Sequence, residues 1–130
     1  MTTITATIGN DGYRTEIESE TNSIVSDEPI SNGGKDLGFS PHELLASALG
    51  SCICITVKMY SERKKWKLDQ IIAKITIEKD TKFNIQNINV ELELTGSLES
   101  EQKIRLTEIA HHCPIHKLLN QPVPINLKLK

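Results

Sequence analysis

The sequence predicts an α+β fold with antiparallel sheets and a long central helix, in a single domain of residues 1–130. Alternating apolar and polar residues predict one-faced strands near both ends of the chain and in a pair between them. One long apolar stretch with helical spacing separates the first strands from that pair and predicts the central helix. One-faced strands interrupted by helices are typical of α+β proteins, in which the sheets are antiparallel.

The N-terminal segment predicts a meander of three short strands. Residues 3–8 alternate and indicate a half-buried strand, and a second strand follows the turn at residues 9–12, where Asn, Asp and Gly tolerate a positive φ. Ile24 and Val25 predict a third strand. Residues 29–39 are expected to form a loop, because glycine and proline interrupt any regular pattern there.

A capping box predicts where the central helix begins. Ser40 suits the N-cap, Pro41 the first helical position and Glu43 the third, and the helix is expected to run to about Lys65. Small residues around Gly50 predict the close approach of another element. The apolar residues at helical spacing are Leu44, Leu45, Ala48, Leu49, Cys52, Ile55, Thr56 and Met59.

The second half of the chain predicts a hairpin, two helices and a last strand. The hairpin strands lie at residues 71–78 and 88–95, with a turn near residues 81–84. A helix is expected at residues 99–111 and a short one at residues 114–120. The expected apolar anchors of the first are Ile104, Ile109 and Ala110, and those of the last strand are Val123, Ile125, Leu127 and Leu129.

Composition excludes several classes of function. The chain has 15 Lys plus Arg against 17 Asp plus Glu, so it carries no basic footprint for nucleic acid and no polybasic membrane patch. No apolar run approaches the roughly 20 residues that span a bilayer, and no secretory signal is visible, so we expect a cytoplasmic protein. With 4% aromatic residues the core is lean, which favours burial through a partner subunit.

Three cysteines, an odd number without an export signal, argue against a structural disulfide framework. Cys52, taken alone, is most simply a small buried hydrophobic residue. Cys113 precedes Pro114 at a predicted helix N-cap, where the helix dipole favours the thiolate. Cys54 lies about 200° from Cys52 on a helix and is interpreted as a core thiol.

Histidines surround the second cysteine, with His116 three residues after it and His111 and His112 before it. This cluster is compatible with a reactive thiol, with a helix terminus whose dipole the histidines complement, or with a zinc site. Zinc is the least favoured, because paired Cys-x-x-Cys or His-x3-His knuckles are absent.

Two motifs together resemble the OsmC/Ohr family of thiol peroxidases over essentially the whole chain, and its general OsmC-like branch in particular. The first is Ser-Pro-His-Glu-Leu-Leu-Ala at residues 40–46 followed by Ala-Leu-Gly-Ser-Cys at residues 48–52. The second is Cys-Pro-Ile-His-Lys-Leu-Leu at residues 113–119. Either motif alone would be weak evidence.

The resemblance implies an intertwined homodimer that reduces organic hydroperoxides without metal or other cofactor. It implies that Cys52 is the peroxidatic thiolate, which becomes a sulfenic acid, and that Cys113 resolves it as a disulfide. An external dithiol, such as a lipoyl group, would then restore both thiols. Arg14 and Glu43 are the implied activating groups, with His116 a possible supporting residue.

Glu43 departs from the hydroperoxide resistance branch, where the glutamate directly follows the proline. His42 occupies that place here. Nine residues on a helix rotate by about 180°, so Glu43 faces away from Cys52, whereas His42 comes round nearer. Two other classes stay open: a non-enzymatic redox sensor or small hydrophobic-ligand carrier with buried thiols, and a zinc-binding module.

Overall fold

The computed structural model describes residues 1–130 and contains two compact units, residues 1–45 and 46–130. Its antiparallel sheets and long helix confirm the predicted α+β class. The elements are β1 (Thr5–Ile8), β2 (Thr15–Glu18), β3 (Ser23–Ser26), a 3-10 turn (Ile30–Asn32), α1 (Pro41–Lys64), β4 (Lys67–Thr81), β5 (Asn84–Ser97), α2 (Ser100–Ala110) and α3 (Pro114–Leu119).

The N-terminal unit contains the predicted meander, with strand order β1-β2-β3 and antiparallel pairing throughout. Ile17 on the middle strand pairs with Ala6 on one side and Ile24 on the other. The expected half-burial of the first strand is wrong, because β1 is an edge strand and all four of its residues are exposed in this chain.

The loop before the long helix is held by buried polar groups. Asp27 is 3% exposed, and its carboxylate accepts hydrogen bonds from the backbone N–H groups of Glu28, Lys35 and Leu37. The Ser26 hydroxyl donates to the carbonyl of Phe39 at 2.8 Å. A single acidic side chain therefore satisfies three loop donors that would otherwise be unpaired.

The long helix begins as the sequence predicts. The backbone N–H of Ser40 donates to Glu43 Oε1 at 3.0 Å, and the N–H of Glu43 donates to Ser40 Oγ at 3.3 Å, which completes the capping box. By length and composition alone, α1 is long and apolar enough to cross a membrane. The expectation that the chain has no apolar stretch of that length is therefore wrong. The core helix of a soluble protein passes the same test, so this is weak evidence.

The buried face of α1 differs from the predicted one. Burial follows a four-residue step through Leu49, Ile53 and Val57, whereas Ile55 is 58% exposed and Met59 65% exposed. Both faces are apolar, so periodicity alone could not identify the one that this chain covers.

A long hairpin follows in the C-terminal unit, as predicted. β4 and β5 pair antiparallel, with Ala73 opposite Leu92 and Ile75 opposite Val90. A Cβ on Gly50 of α1 would lie 3.3 Å from Ile75 Cγ1, so the small residue does permit close approach of the hairpin. Gly96, at φ 149°, lies against the Lys67 carbonyl, where a side chain would overlap the backbone.

The remaining elements agree only in part with the prediction. In α2 the buried residues are Leu106, Ile109 and Ala110, so Ile104, which is 61% exposed, is not an anchor. The last strand is also wrong, because residues 122–130 adopt no regular structure and pair with no strand. The core of the C-terminal unit consists of Leu49, Ile53, Val57, Leu68, Leu106, Ile109, Ala110 and Cys113.

Candidate functional site

Cys52 lies in the middle of α1, half-buried and packed against the apolar core of the C-terminal unit. Its neighbours on the buried face are Leu49 and Ile53. The capping box and apolar face that form the helix therefore also fix this thiol on a rigid element. Cys54 is likewise half-buried but lies outside the core cluster, so its interpretation as a core thiol is wrong.

Cys113 is the N-cap of α3, as its place before Pro114 predicts. Its side chain is 0% exposed, and Sγ accepts a hydrogen bond from the backbone N–H of His116 at 3.4 Å. Pro114 is at the first helical position, where the missing N–H costs nothing. The turn between α2 and α3 thus buries a thiol with one backbone donor aimed at it.

The structure brings these two thiols together. Cys113 belongs to the apolar core against which Cys52 packs, the Cys52 side chain raises the pKa of the Cys113 thiol, and neither cysteine is in a disulfide. The two residues are far apart in the chain, so only the packing of α1 against α2 and the turn after it creates this pair.

The expectation that Cys113 favours the thiolate is wrong. Burial raises the pKa of the Cys113 thiol, and the neighbouring Cys52 side chain raises it further. Backbone N–H groups of His116 and Ile115 act in the opposite direction but are outweighed. The N-cap geometry was predicted correctly, but burial decides the sign of the pKa shift, so the protonated form of Cys113 is favoured.

Histidine rings lie close to the Cys113 turn without forming a metal cluster. The rings of His111 and His116 pack edge to face with centroids 5.4 Å apart, and the Asn120 amide donates to the His116 carbonyl at 2.9 Å. No group of three or more His, Cys, Asp or Glu side chains is arranged to hold a metal ion.

The other predicted site residues belong to the N-terminal unit. Arg14 forms a surface ion pair with Glu16 at 3.0 Å. Glu43 accepts the capping hydrogen bond from the Ser40 backbone, which lowers the pKa of its carboxyl group. His42 is half-buried on the first turn of α1. A role for these residues beside Cys52 stays a prediction.

One polar contact between the same two helices was not predicted. Arg105 Nε of α2 donates to the Tyr60 hydroxyl of α1 at 3.1 Å. A tyrosine on an apolar helix and the single arginine of α2 were visible in the sequence, but nothing in their spacing links them.

Comparison with known families gives a clear match. The family model described as OsmC-like protein covers residues 33–128. No curated protein is similar enough in sequence to match this chain.

Solved structures share the fold across most of the chain. A candidate osmotic stress induced and detoxification response protein from Psychrobacter arcticus is 25% identical with a TM-score of 0.80, covering 91% of this chain and 88% of its own. An OsmC-like protein from Mycoplasma pneumoniae is 22% identical at TM-score 0.80, with 92% and 87% covered. The organic hydroperoxide resistance protein OhrB of Bacillus subtilis is 23% identical at TM-score 0.62, with 100% and 98% covered.

Proposed function

Because the chain belongs to the OsmC-like protein family, we propose that it is a cysteine-based peroxidase that reduces organic hydroperoxides. The observation that carries this proposal is the juxtaposition of Cys52 and Cys113 in the apolar core of the C-terminal unit. Two free thiols in contact, one half-buried and one fully buried, have the arrangement that a dithiol redox reaction requires.

The proposed reaction uses both thiols in sequence. The Cys52 thiolate attacks the terminal peroxide oxygen, the O–O bond breaks, and the alcohol leaves after taking up a proton, so that Cys52 becomes a sulfenic acid. The Cys113 sulfur then attacks the Cys52 sulfur, water leaves, and a disulfide forms. The two electrons lost by the dithiol reduce the hydroperoxide, and an external dithiol, such as a lipoyl group, returns them by exchange.

The different settings of the thiols support this division of roles. Cys113 is 0% exposed and keeps its proton, so it is the less suitable nucleophile toward an incoming peroxide. Cys52 is only half-buried, which favours it as the thiol that an incoming peroxide reaches. After oxidation, Cys113 is already beside the sulfur that it must reach.

Supporting groups are assigned by the family resemblance. We propose that the permanently charged Arg14 stabilises the Cys52 thiolate, and that Glu43 or His42 assists Cys52. His116 supports Cys113 through its backbone N–H. The reaction needs no metal or other cofactor.

The class of substrate is proposed from structural relatives. A Legionella pneumophila relative, 18% identical at TM-score 0.66, and the Bacillus subtilis relative are both organic hydroperoxide resistance proteins. Since their similarity shows the fold alone, the substrate of this chain is an inference to be tested with an alkyl hydroperoxide.

We also propose that the protein acts in the cytoplasm as a homodimer, without a nucleic-acid or membrane partner. Large apolar side chains stay uncovered in this chain, among them Ile55 and Met59 on α1. Residues 122–130 alternate like a strand yet pair with none, and Leu127 is 93% exposed. A second copy is the simplest cover for such surfaces.

The function is tested by stopped-flow consumption of an alkyl hydroperoxide by the reduced protein, followed by mass spectrometry. We expect one equivalent to be consumed and a Cys52–Cys113 disulfide to form. Cys52→Ser should abolish consumption, Cys113→Ser should stop at the sulfenic acid, and the matched control Cys54→Ser should react like the wild type. Unchanged consumption in Cys52→Ser, or none in the wild type, contradicts the proposal; the latter would favour a redox sensor or ligand carrier.

The supporting role at the start of α1 is tested with Glu43→Gln and His42→Ala in the same assay. From the helical rotation, we expect the larger loss of rate in His42→Ala. A larger loss in Glu43→Gln would assign the role to the carboxylate instead.

A further inference from the structure

Two side-chain contacts link α1 to α2 and to the turn that follows α2. They lie at opposite ends of the apolar core that these elements share. At one end Cys52 contacts Cys113, and at the other Tyr60 accepts a hydrogen bond from Arg105. Tyr60 follows Cys52 by two helical turns, about 12 Å, whereas Arg105 precedes Cys113. The two contacts therefore define an antiparallel packing and fix its register.

Both partners of the Tyr60–Arg105 contact are themselves held in place. The Tyr60 ring packs against the core and lies edge to face with Trp66 at 5.7 Å. Arg105 Nη1 donates to Glu108 Oε2 at 2.9 Å while its Nε donates to Tyr60. A planar guanidinium with two fixed acceptors has little freedom to shift along the helix.

The same ring has cationic neighbours that do not join the helices. Arg63 and Lys64 lie over the Tyr60 ring, at 5.3 and 5.7 Å from its centroid, and both follow Tyr60 on α1. Of the side chains that contact Tyr60, Arg105 is thus the cation that comes from α2. A mutation can therefore remove a cation from the Tyr60 ring without breaking the contact between the two helices.

We propose that Tyr60 and Arg105 are positioning residues that set the register of α2 and so hold Cys113 within reach of Cys52. A disulfide forms only within a narrow range of distance and dihedral angle. Fixing the far end of the helix pair raises the effective concentration of one thiol at the other. The inference rests on the proposed use of this thiol pair, but it does not require peroxide chemistry.

The test is the equilibrium of the reduced protein with glutathione in the absence of peroxide. The protein dithiol and one glutathione disulfide give the Cys52–Cys113 disulfide and two glutathione thiols, so two electrons pass to glutathione. Mass spectrometry of the quenched mixture measures the effective concentration of the pair.

Tyr60→Phe removes the hydroxyl acceptor and keeps the ring. We expect it to lower the effective concentration roughly three- to tenfold, since one hydrogen bond between the helices is lost. Arg105→Lys, which keeps the charge but loses the Nε donor, should have a similar effect, and the double variant should lose little more than either single variant.

Arg63→Gln is the matched control, because it removes a cation from the same ring without touching α2. It should leave the equilibrium within twofold of the wild type. An unchanged equilibrium in Tyr60→Phe, or an equal fall in Arg63→Gln, overturns the positioning role, as does a wild type that forms no Cys52–Cys113 disulfide. A protein that passes this test but consumes no hydroperoxide would overturn only the proposed peroxidase function.

Discussion

The two units of the chain are stabilised by different interactions. All of the buried apolar side chains lie in the C-terminal unit, whereas the buried residues of the N-terminal unit are the polar Ser26 and Asp27. Apolar packing, which has no strict directional requirement, stabilises the C-terminal unit. Hydrogen bonds to the Asp27 carboxylate stabilise the loop of the N-terminal unit. Mutations in the two units should therefore differ in how much stability they remove and in how much of the structure they affect.

The largest effect is expected in the apolar core. Leu106→Ala should lower the free energy of unfolding by about 3 kcal/mol, because a side chain that is 0% exposed leaves a cavity. Ile104→Ala, two residues away and 61% exposed, should cost less than about 0.5 kcal/mol. Urea denaturation of both variants measures the difference; equal losses would mean that the assigned buried face of α2 is wrong.

A smaller and more local effect is expected in the N-terminal unit. Asp27→Ala leaves three backbone donors without their acceptor and should cost about 1–3 kcal/mol of local stability. Hydrogen exchange of the Lys35 and Leu37 amides should accelerate by about tenfold or more. Glu28→Gln is the control and should leave these amides slow; protection retained in Asp27→Ala would show that the carboxylate does not hold the loop.

The smallest effect is the dependence of the C-terminal unit on pH. Because the pKa of Cys113 is raised on folding, the folded state binds its proton more tightly than the unfolded state. The resulting stabilisation is complete below the ordinary thiol pKa of about 8.5 and is lost as the pH rises through the raised value. Urea denaturation of the reduced protein from pH 8 to 10 should therefore show a steeper decline in the wild type than in Cys113→Ser.

Cys54→Ser provides the comparison for that series, since it also removes a thiol but leaves Cys113 in place. Its decline with pH should match the wild type. A slope that is the same in all three proteins would mean that burial of Cys113 does not influence its ionisation.

Local signals in the sequence predicted local structure well. The capping box at Ser40 and the Cys113 N-cap were both correct, because each depends on a few neighbouring residues. The hairpin was also correct, since its two strands are adjacent in sequence and alternate over many residues. The errors at Ile55 and Ile104 share a cause: a pattern shows that a face can be buried, not which other element covers it.

The candidate site around Cys52 and Cys113 could not be predicted from local sequence patterns alone. Contact between Cys52 and Cys113 followed from the family resemblance and could not be derived from their spacing. The raised pKa of Cys113 was missed because the N-cap argument considered the helix end without the burial around it. The Tyr60–Arg105 contact joins residues far apart in the chain and has no local signature.

The capping role of Cys113 makes the backbone of α3 a built-in reporter of sulfur chemistry. The same sulfur that contacts Cys52 accepts the hydrogen bond of the His116 amide. When that sulfur loses its proton or is alkylated, its strength as an acceptor changes, and the amide proton resonance moves with it. Nuclear magnetic resonance of one isotope-labelled backbone site can thus follow the state of the thiol pair without any dye or chemical tag.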